Sequence, residues 1–171
     1  MQVNPPYYVP LVEIIPSPWT KKSIISKAME LQKEIGQKPV LMLKETLGFA
    51  LNRIQYAIIA ESWRLVEDGI MSAEDVDTVM TDGLGMRYAF LGPLETAHLN
   101  AEGMREYCQK YGQGIYNVLQ TFGPNPRLEG PTAEAISQDL ERRVPHDELQ
   151  ERRAWRDSCL AKLAKLKSNA Q

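Results

Sequence analysis

Apolar residues in the first part of the chain occur in short runs separated by one segment of helical spacing. Val9–Ile15 is rich in β-branched residues and is bounded by prolines, which favours a strand. Over Ser23–Ile35 the apolar residues recur every three or four positions, which predicts a helix with Gly36 as its C-terminal cap. A second short apolar run, Pro39–Leu43, predicts another strand. Strand, helix and strand in this order are typical of a βαβ unit.

From about residue 46 onwards the spacing is helical almost throughout. Ala50–Asp68 is apolar nearly all round, so we expect this helix to be buried on most of its sides. Ser72 and Asp75 have the spacing of a capping box and open the next helix. A glycine-bearing loop is predicted over residues 82–93. The remaining predicted helices are Leu94–Asn100, Ala101–Phe122, Thr132–Arg143 and His146–Lys167, with 95–122 as either one helix or two. The predicted fold is mainly α, a multi-helix bundle over 46–171 preceded by a strand-helix-strand unit over 1–45.

Composition narrows the class of protein. Of the 171 residues, 43% are apolar and 25% are charged, which is ordinary for a globular chain long enough to form a core. The net charge of -2, with Lys and Arg scattered, gives no indication of nucleic-acid binding. We expect no membrane association, since the N-terminal residues do not resemble a signal peptide and no apolar run approaches the roughly 20 residues that a membrane span needs.

The cysteines and histidines carry no metal-binding spacing. Cys108 and Cys159 lie far apart and form no CxxC pair, which favours a reducing, cytoplasmic setting. His98 and His146 are also far apart, so no metal site is predicted.

Glu13 is the first candidate for chemistry, because it lies inside an apolar strand. Strand alternation places it on the same face as Leu11 and Ile15. A carboxylate on an apolar face costs several kcal/mol unless it is paired. Either the strand is a sheet edge at which Glu13 reaches water, or Glu13 orients a cationic or proton-shuttling group that is not adjacent in the sequence.

Asn52 is the second candidate, a polar residue in a helix that is otherwise apolar. Asn is a poor helix former, and Gly48, one turn earlier, allows a close approach to the helix start. Asn52 is either a buried amide with its hydrogen bonds satisfied, or a hydrogen-bond donor to a substrate carbonyl or hydroxyl in a cleft.

Three segments together carry a family resemblance. VNPPYYVPLVE (residues 3–13) resembles the H-P-x-N-P-x5-L-V-E motif of the 3-hydroxyacyl-CoA dehydrogenase family. ETLGFALNR (45–53) resembles the G-F-x-x-N-R motif that opens the helical domain of the same family. LGPLETAHL (91–99) resembles its G-P-x-E-x-A-D-x segment. The runs VNPPYY, WRLVEDGI and YAFLGPLET are most similar to a branch that oxidises the small hydroxyacid L-gulonate.

The resemblance implies half of a two-domain enzyme. In the family a Rossmann domain binds NAD, and a helical domain closes over the substrate and forms a homodimer. A His acts as the base while hydride passes to NAD, and a Glu orients that His. Carried over, Glu13 would be the orienting Glu, Asn52 a substrate-side Asn, and Asn4 a residue near the nicotinamide. Residues 1–45 would then be the end of the Rossmann domain, and 46–171 the substrate-binding and dimerisation domain.

The chain departs from the family pattern at the base. The motif His corresponds to Met1 and its Pro to Gln2, and no G-x-G-x-x-G turn occurs in these residues. We therefore expect this chain by itself to bind no NAD and to be inactive. The alternative is a non-catalytic module, either for helical dimerisation or, as in some members of this branch, as a structural constituent of the lens.

Overall fold

The computed structural model describes residue 5 and residues 7–170, and it is mainly α-helical, as predicted. The chain forms two compact units, one of Met1–Ala57 with His146–Gln171 and the other of Ile58–Pro145. The elements in chain order are β1 (Leu11–Ile14), α1 (Lys22–Glu34), β2 (Lys38–Leu41), α2 (Phe49–Glu67), α3 (Ala73–Thr78), a π-helix (Val79–Leu84), α4 (Gly85–Tyr88), α5 (Pro93–Leu99), α6 (Met104–Gln120), α7 (Pro131–Arg143), a 3-10 turn (His146–Glu148) and α8 (Leu149–Asn169).

The two strands of the first unit form the predicted βαβ arrangement. They pair in parallel, from Leu11 opposite Lys38 to Ile14 opposite Leu41, and α1 connects them. Helix α1 ends at Gly36, which has φ +80°. The N–H groups of Gly36 and Gln37 bond to the carbonyls of Lys33 and Gln32 at 3.0 and 2.8 Å. This is the double bond of a Schellman motif, so the predicted glycine cap is confirmed.

The glycine-bearing loop predicted over residues 82–93 is wrong for most of its length. The π-helix continues directly into α4. The N–H of Gly85 bonds to the Met80 carbonyl, five residues earlier. A Cβ at Gly85 would lie only 2.6 Å from that oxygen, so the absent side chain permits the wide turn. Here glycine allows the helix to continue rather than ending it.

The segment from Glu95 to Phe122 forms two helices, α5 and α6. They separate at Gly103, whose φ is +101°. The His98 ring lies at this break, and its Nδ1 accepts a hydrogen bond of 3.1 Å from the N–H of Met104, the first residue of α6. The glycines within α6 do not interrupt it.

Helix α2 is not buried on most of its sides, contrary to the prediction. None of its residues is buried, and Ile54 and Tyr56 are each 58% exposed. Throughout the described residues, the buried apolar side chains are Val12 and Val76. The neighbours within this chain cover α2 only in part, so its apolar faces stay open. None of the described helices combines the length and apolarity that crossing a membrane requires.

Candidate functional site: the start of helix α2

Glu13 is the most enclosed large side chain of the described residues, at 1% exposure. It lies in β1, beside the partner strand β2. Because its side chain is enclosed, the interpretation that Glu13 reaches water is wrong. Its Oε1 accepts hydrogen bonds from the N–H groups of Ala50 and Leu51, at 2.8 and 3.1 Å. A buried carboxylate of β1 thus contacts the first turn of α2.

The backbone has an unusual conformation where this turn begins. Gly48 and Phe49 both have positive φ, +79° and +53°. Two successive left-handed residues bring the chain into α2 with the amides of Ala50 and Leu51 towards Glu13. The first N–H groups of a helix have no acceptor within the helix, and the helix dipole favours a negative charge there. The left-handed conformation of Phe49 costs about 1–3 kcal/mol, which the surrounding contacts must offset.

Asn52 lies in the same turn, next to Leu51, and its side chain is half-buried. A Cβ built on Gly48 would lie 3.8 Å from the Asn52 Cβ and 3.6 Å from Cγ of Arg53, so these side chains pack over the glycine. Within the part of the chain that the structure describes, the Asn52 amide makes no hydrogen bond. The interpretation of a buried amide with its hydrogen bonds satisfied is therefore not supported.

The structure thus brings two of the three predicted site residues, Glu13 and Asn52, to one helix start. The third, Asn4, lies outside the described residues, as do Met1 and Gln2. Sequence reasoning missed the amides of Ala50 and Leu51, because backbone donors leave no trace in a side-chain pattern. The available signal was the Gly-Phe pair at the beginning of the helix.

No cluster of three or more His, Cys, Asp or Glu side chains suited to a metal ion occurs in the described ranges. Cys108 and Cys159 are free thiols. The candidate site at the start of α2 consists of the carboxylate of Glu13, the amide of Asn52 and the backbone donors of Ala50 and Leu51.

Comparison with known proteins decides the family. The profile of the 3-hydroxyacyl-CoA dehydrogenase C-terminal domain matches residues 48–139, and the profile of the NAD-binding domain of the same enzymes matches residues 2–46. The chain belongs to the 3-hydroxyacyl-CoA dehydrogenase family. The family resemblance of the three sequence motifs is thereby confirmed.

Among curated proteins of this family, the lambda-crystallins are highly similar to the chain. It is 58% identical to the human lambda-crystallin homolog and 56% identical to rabbit (Oryctolagus cuniculus) lambda-crystallin, in each case over 99% of this chain and 54% of the relative. It is 34% identical to an L-carnitine dehydrogenase of Oceanobacillus iheyensis, over 95% of this chain and 53% of that protein. The chain spans about half the length of the curated relatives it matches. The predicted likeness to one branch of the family is confirmed as a likeness to the lambda-crystallins.

A solved structure shares the fold. The crystal structure of 5-formyl-3-hydroxy-2-methylpyridine 4-carboxylic acid 5-dehydrogenase, an NAD+-dependent dismutase, superimposes with a TM-score of 0.72. The superposition covers 97% of this chain and 53% of the dehydrogenase chain, and the two sequences are 22% identical. The arrangement of elements is therefore that of a known dehydrogenase fold.

The described residues do not fit the pyrophosphate of a dinucleotide. Such a site needs a glycine-rich turn between a strand and a helix, with free N–H groups at the helix start. The connection from β1 to α1, residues 15–21, contains Pro16 and Pro18 and no glycine. The connection to α2 contains Gly48, but the carboxylate of Glu13 already accepts from the amides of Ala50 and Leu51.

Proposed function

We propose that this chain is the C-terminal part of an NAD-dependent dehydrogenase that oxidises the 3-hydroxyl of a small hydroxyacid, L-gulonate to 3-dehydro-L-gulonate. Residues 1–45 would belong to the nucleotide-binding domain, and 46–171 to the domain that binds substrate and dimerises. The observation that carries the proposal is the buried Glu13 carboxylate bound to the start of α2, beside the unengaged amide of Asn52.

The substrate class follows from chemistry common to the relatives' names. A 3-hydroxyacyl thioester and L-carnitine both carry a hydroxyl on the third carbon from the carboxyl end, and L-gulonate has the same 3-hydroxy carboxyl unit. An amide that donates to the substrate oxygen suits such a hydroxyl, because the interaction is short and directional. In this proposal Asn52 donates to that oxygen, Glu13 orients the base, and Asn4 lies near the nicotinamide. In the parent enzyme, NAD would accept the hydride.

The substrate assignment can be tested on the chain itself. L-gulonate is titrated into labelled protein, and the side-chain amide resonances of Asn52 are followed by NMR. We expect a saturable shift that Asn52→Ala abolishes, and a much smaller one with a 3-deoxy analogue, which has no hydroxyl to accept the bond. Equal shifts with both acids would contradict the proposal.

We further propose that a polypeptide of these 171 residues neither binds NADH tightly nor turns over L-gulonate alone. The support is the poor fit of the described residues to a pyrophosphate, together with Met1 in the position of the motif His. A fluorescence titration with NADH is expected to show no saturation. Saturable binding at micromolar concentration would be evidence against this.

Self-association is the third element of the proposal, with a homodimer as the expected state. Helix α6 supports it by exposing an apolar face that holds Ile115, Val118 and Leu119, each at least 41% exposed. Apolar patches of this kind mark interaction surfaces. A stable homodimer interface buries well over about 1,000 Å². Sedimentation at micromolar concentration is expected to give a dimer, and a clean monomer would contradict it.

The same exposed faces favour a second candidate, a non-catalytic assembly or structural module of the kind that the name lambda-crystallin suggests for its relatives. The titration with L-gulonate separates the two, because a purely structural module has no reason to recognise the 3-hydroxyl. We propose a cytoplasmic setting for either role, supported by the free thiols of Cys108 and Cys159.

A further inference from the structure

The contact between Glu13 and α2 joins residues that are 37 and 38 positions apart in the sequence. One carboxylate oxygen accepts both bonds, and the side chain is 1% exposed, so water does not compete for it. The bonds join a strand of one family segment to the first turn of the helix that opens the other.

We infer that Glu13 is a positioning residue for helix α2, and that it fixes where the Asn52 amide is presented. This deepens the proposed function, on which the substrate-side role of Asn52 rests. The role is additional to the orientation of a base, because it acts on the backbone of α2 through Ala50 and Leu51.

The physical reason lies in the weakness of a helix start. The first turn has unpaired N–H groups and frays unless an external acceptor binds them. Here the turn also begins at two residues with left-handed backbone, Gly48 and Phe49, and that conformation is costly for Phe49. Without the carboxylate, no hydrogen bond from Ala50 or Leu51 offsets the cost of the left-handed backbone, and the first turn of α2 can unwind. Asn52 is the residue after Leu51, so its position depends directly on this turn.

Two variants separate the reach of the side chain from its charge. Glu13→Gln keeps an oxygen acceptor at the same distance from the backbone and removes the charge. Glu13→Asp keeps the charge and withdraws the acceptor by one carbon. If Glu13 positions α2 through geometry, Gln preserves the arrangement and Asp disturbs it. The matched control is Glu45→Asp, the same change at an exposed acid shortly before α2.

The measurement is amide hydrogen exchange of the full 171-residue chain by NMR, with the Asn52 side-chain signals read in the same spectra. In Glu13→Asp we expect exchange of Ala50 and Leu51 to accelerate by about tenfold or more, as the loss of bonds to a charged acceptor implies. The Asn52 signals should move at the same time. In Glu13→Gln both readouts should stay closer to the unmodified chain, and Glu45→Asp should leave them unchanged.

Wild-type protection of Ala50 and Leu51 in Glu13→Asp, or a Gln variant no better than Asp, would overturn the inference. If the Asp variant does not fold, the Gln variant decides. In Glu13→Gln, native protection of the Ala50 and Leu51 amides together with native Asn52 signals would support the positioning role of Glu13. Loss of either would oppose it. None of these readouts needs substrate. A failed L-gulonate titration with intact exchange effects would refute the proposed function alone, and the reverse outcome would refute only the positioning role.

Discussion

The start of α2 and the unit Ile58–Pro145 are held together in different ways. At the start of α2, one enclosed carboxylate bonds to two backbone amides from a distant part of the chain. In the unit Ile58–Pro145, the polar contacts between separate segments are exposed. Arg143 pairs with Asp77 at 3.0 Å, and Thr132 bonds to Glu67 at 3.3 Å.

The difference indicates which region is specified by its own contacts. Buried hydrogen bonds to a charged group are geometrically demanding, and each contributes about 1.5–3 kcal/mol. Exposed ion pairs contribute about 0–1 kcal/mol each. In the unit Ile58–Pro145 the buried side chains are Val76 and Thr96, so packing adds little within the chain. We conclude that the start of α2 is fixed internally, while the helices of the second unit offer faces for further packing.

The largest effect expected from this comparison is that of Gly48→Ala. Gly48 has φ +79° and lies against Asn52 and Arg53, so an added Cβ is strained whatever space it finds. We expect a loss of about 1–3 kcal/mol in the free energy of unfolding, measured by urea denaturation. The control is Gly112→Ala within α6, where a Cβ meets nothing within 4 Å. It should stabilise the chain by about 0.5–1 kcal/mol. Equal changes in the free energy of unfolding for the two variants would contradict the prediction that the start of α2 requires a glycine.

A smaller effect is expected at Arg64, the best-enclosed cation of the ion pairs that lie within the second unit. Its guanidinium pairs with Glu61 at 2.8 Å, donates to the Pro124 carbonyl at 3.2 Å and lies 5.2 Å from the Phe122 ring centroid. Arg64→Ala should cost about 1–2 kcal/mol of unfolding free energy. Arg64→Lys should recover only part of this, because a lysine cannot reproduce the planar fork. Full recovery with lysine would show that charge alone holds this contact.

The smallest effect is expected at Asp77, whose side chain is 60% exposed in its pair with Arg143. Asp77→Asn should change the free energy of unfolding by no more than about 1 kcal/mol. Added salt should shrink the difference further, because exposed charges are screened. Urea denaturation at low and high salt provides the measurement. A loss above that of Gly48→Ala would reverse the proposed ranking of the two regions.

Local signals in the sequence were sufficient to predict several elements. Helix α1 ends where the N–H groups of Gly36 and Gln37 bond to carbonyls three and five positions before them, respectively. Ser72 begins α3 by accepting from the N–H of Asp75 at 3.1 Å. The two strands and the helix between them were also predicted, from two short apolar runs on either side of a segment with helical spacing. These features depend on hydrogen bonds within one turn, or on the spacing of apolar residues within a single segment, and both are visible in the order of residues.

The remaining features are visible only in the tertiary structure. It places two backbone N–H groups of α2 against the Glu13 carboxylate. A pattern of side chains does not show which backbone amides will donate to a carboxylate. It kept residues 79–88 helical, because Gly85 relieves a clash that exists only once the turn has formed. It leaves the residues of α2 partly exposed where the apolar pattern predicted burial. Periodicity shows which faces of a helix are apolar but not which other elements cover them. Glu13 was recognisable from the sequence as a carboxylate that needs a partner, and the partner itself is a property of the folded chain.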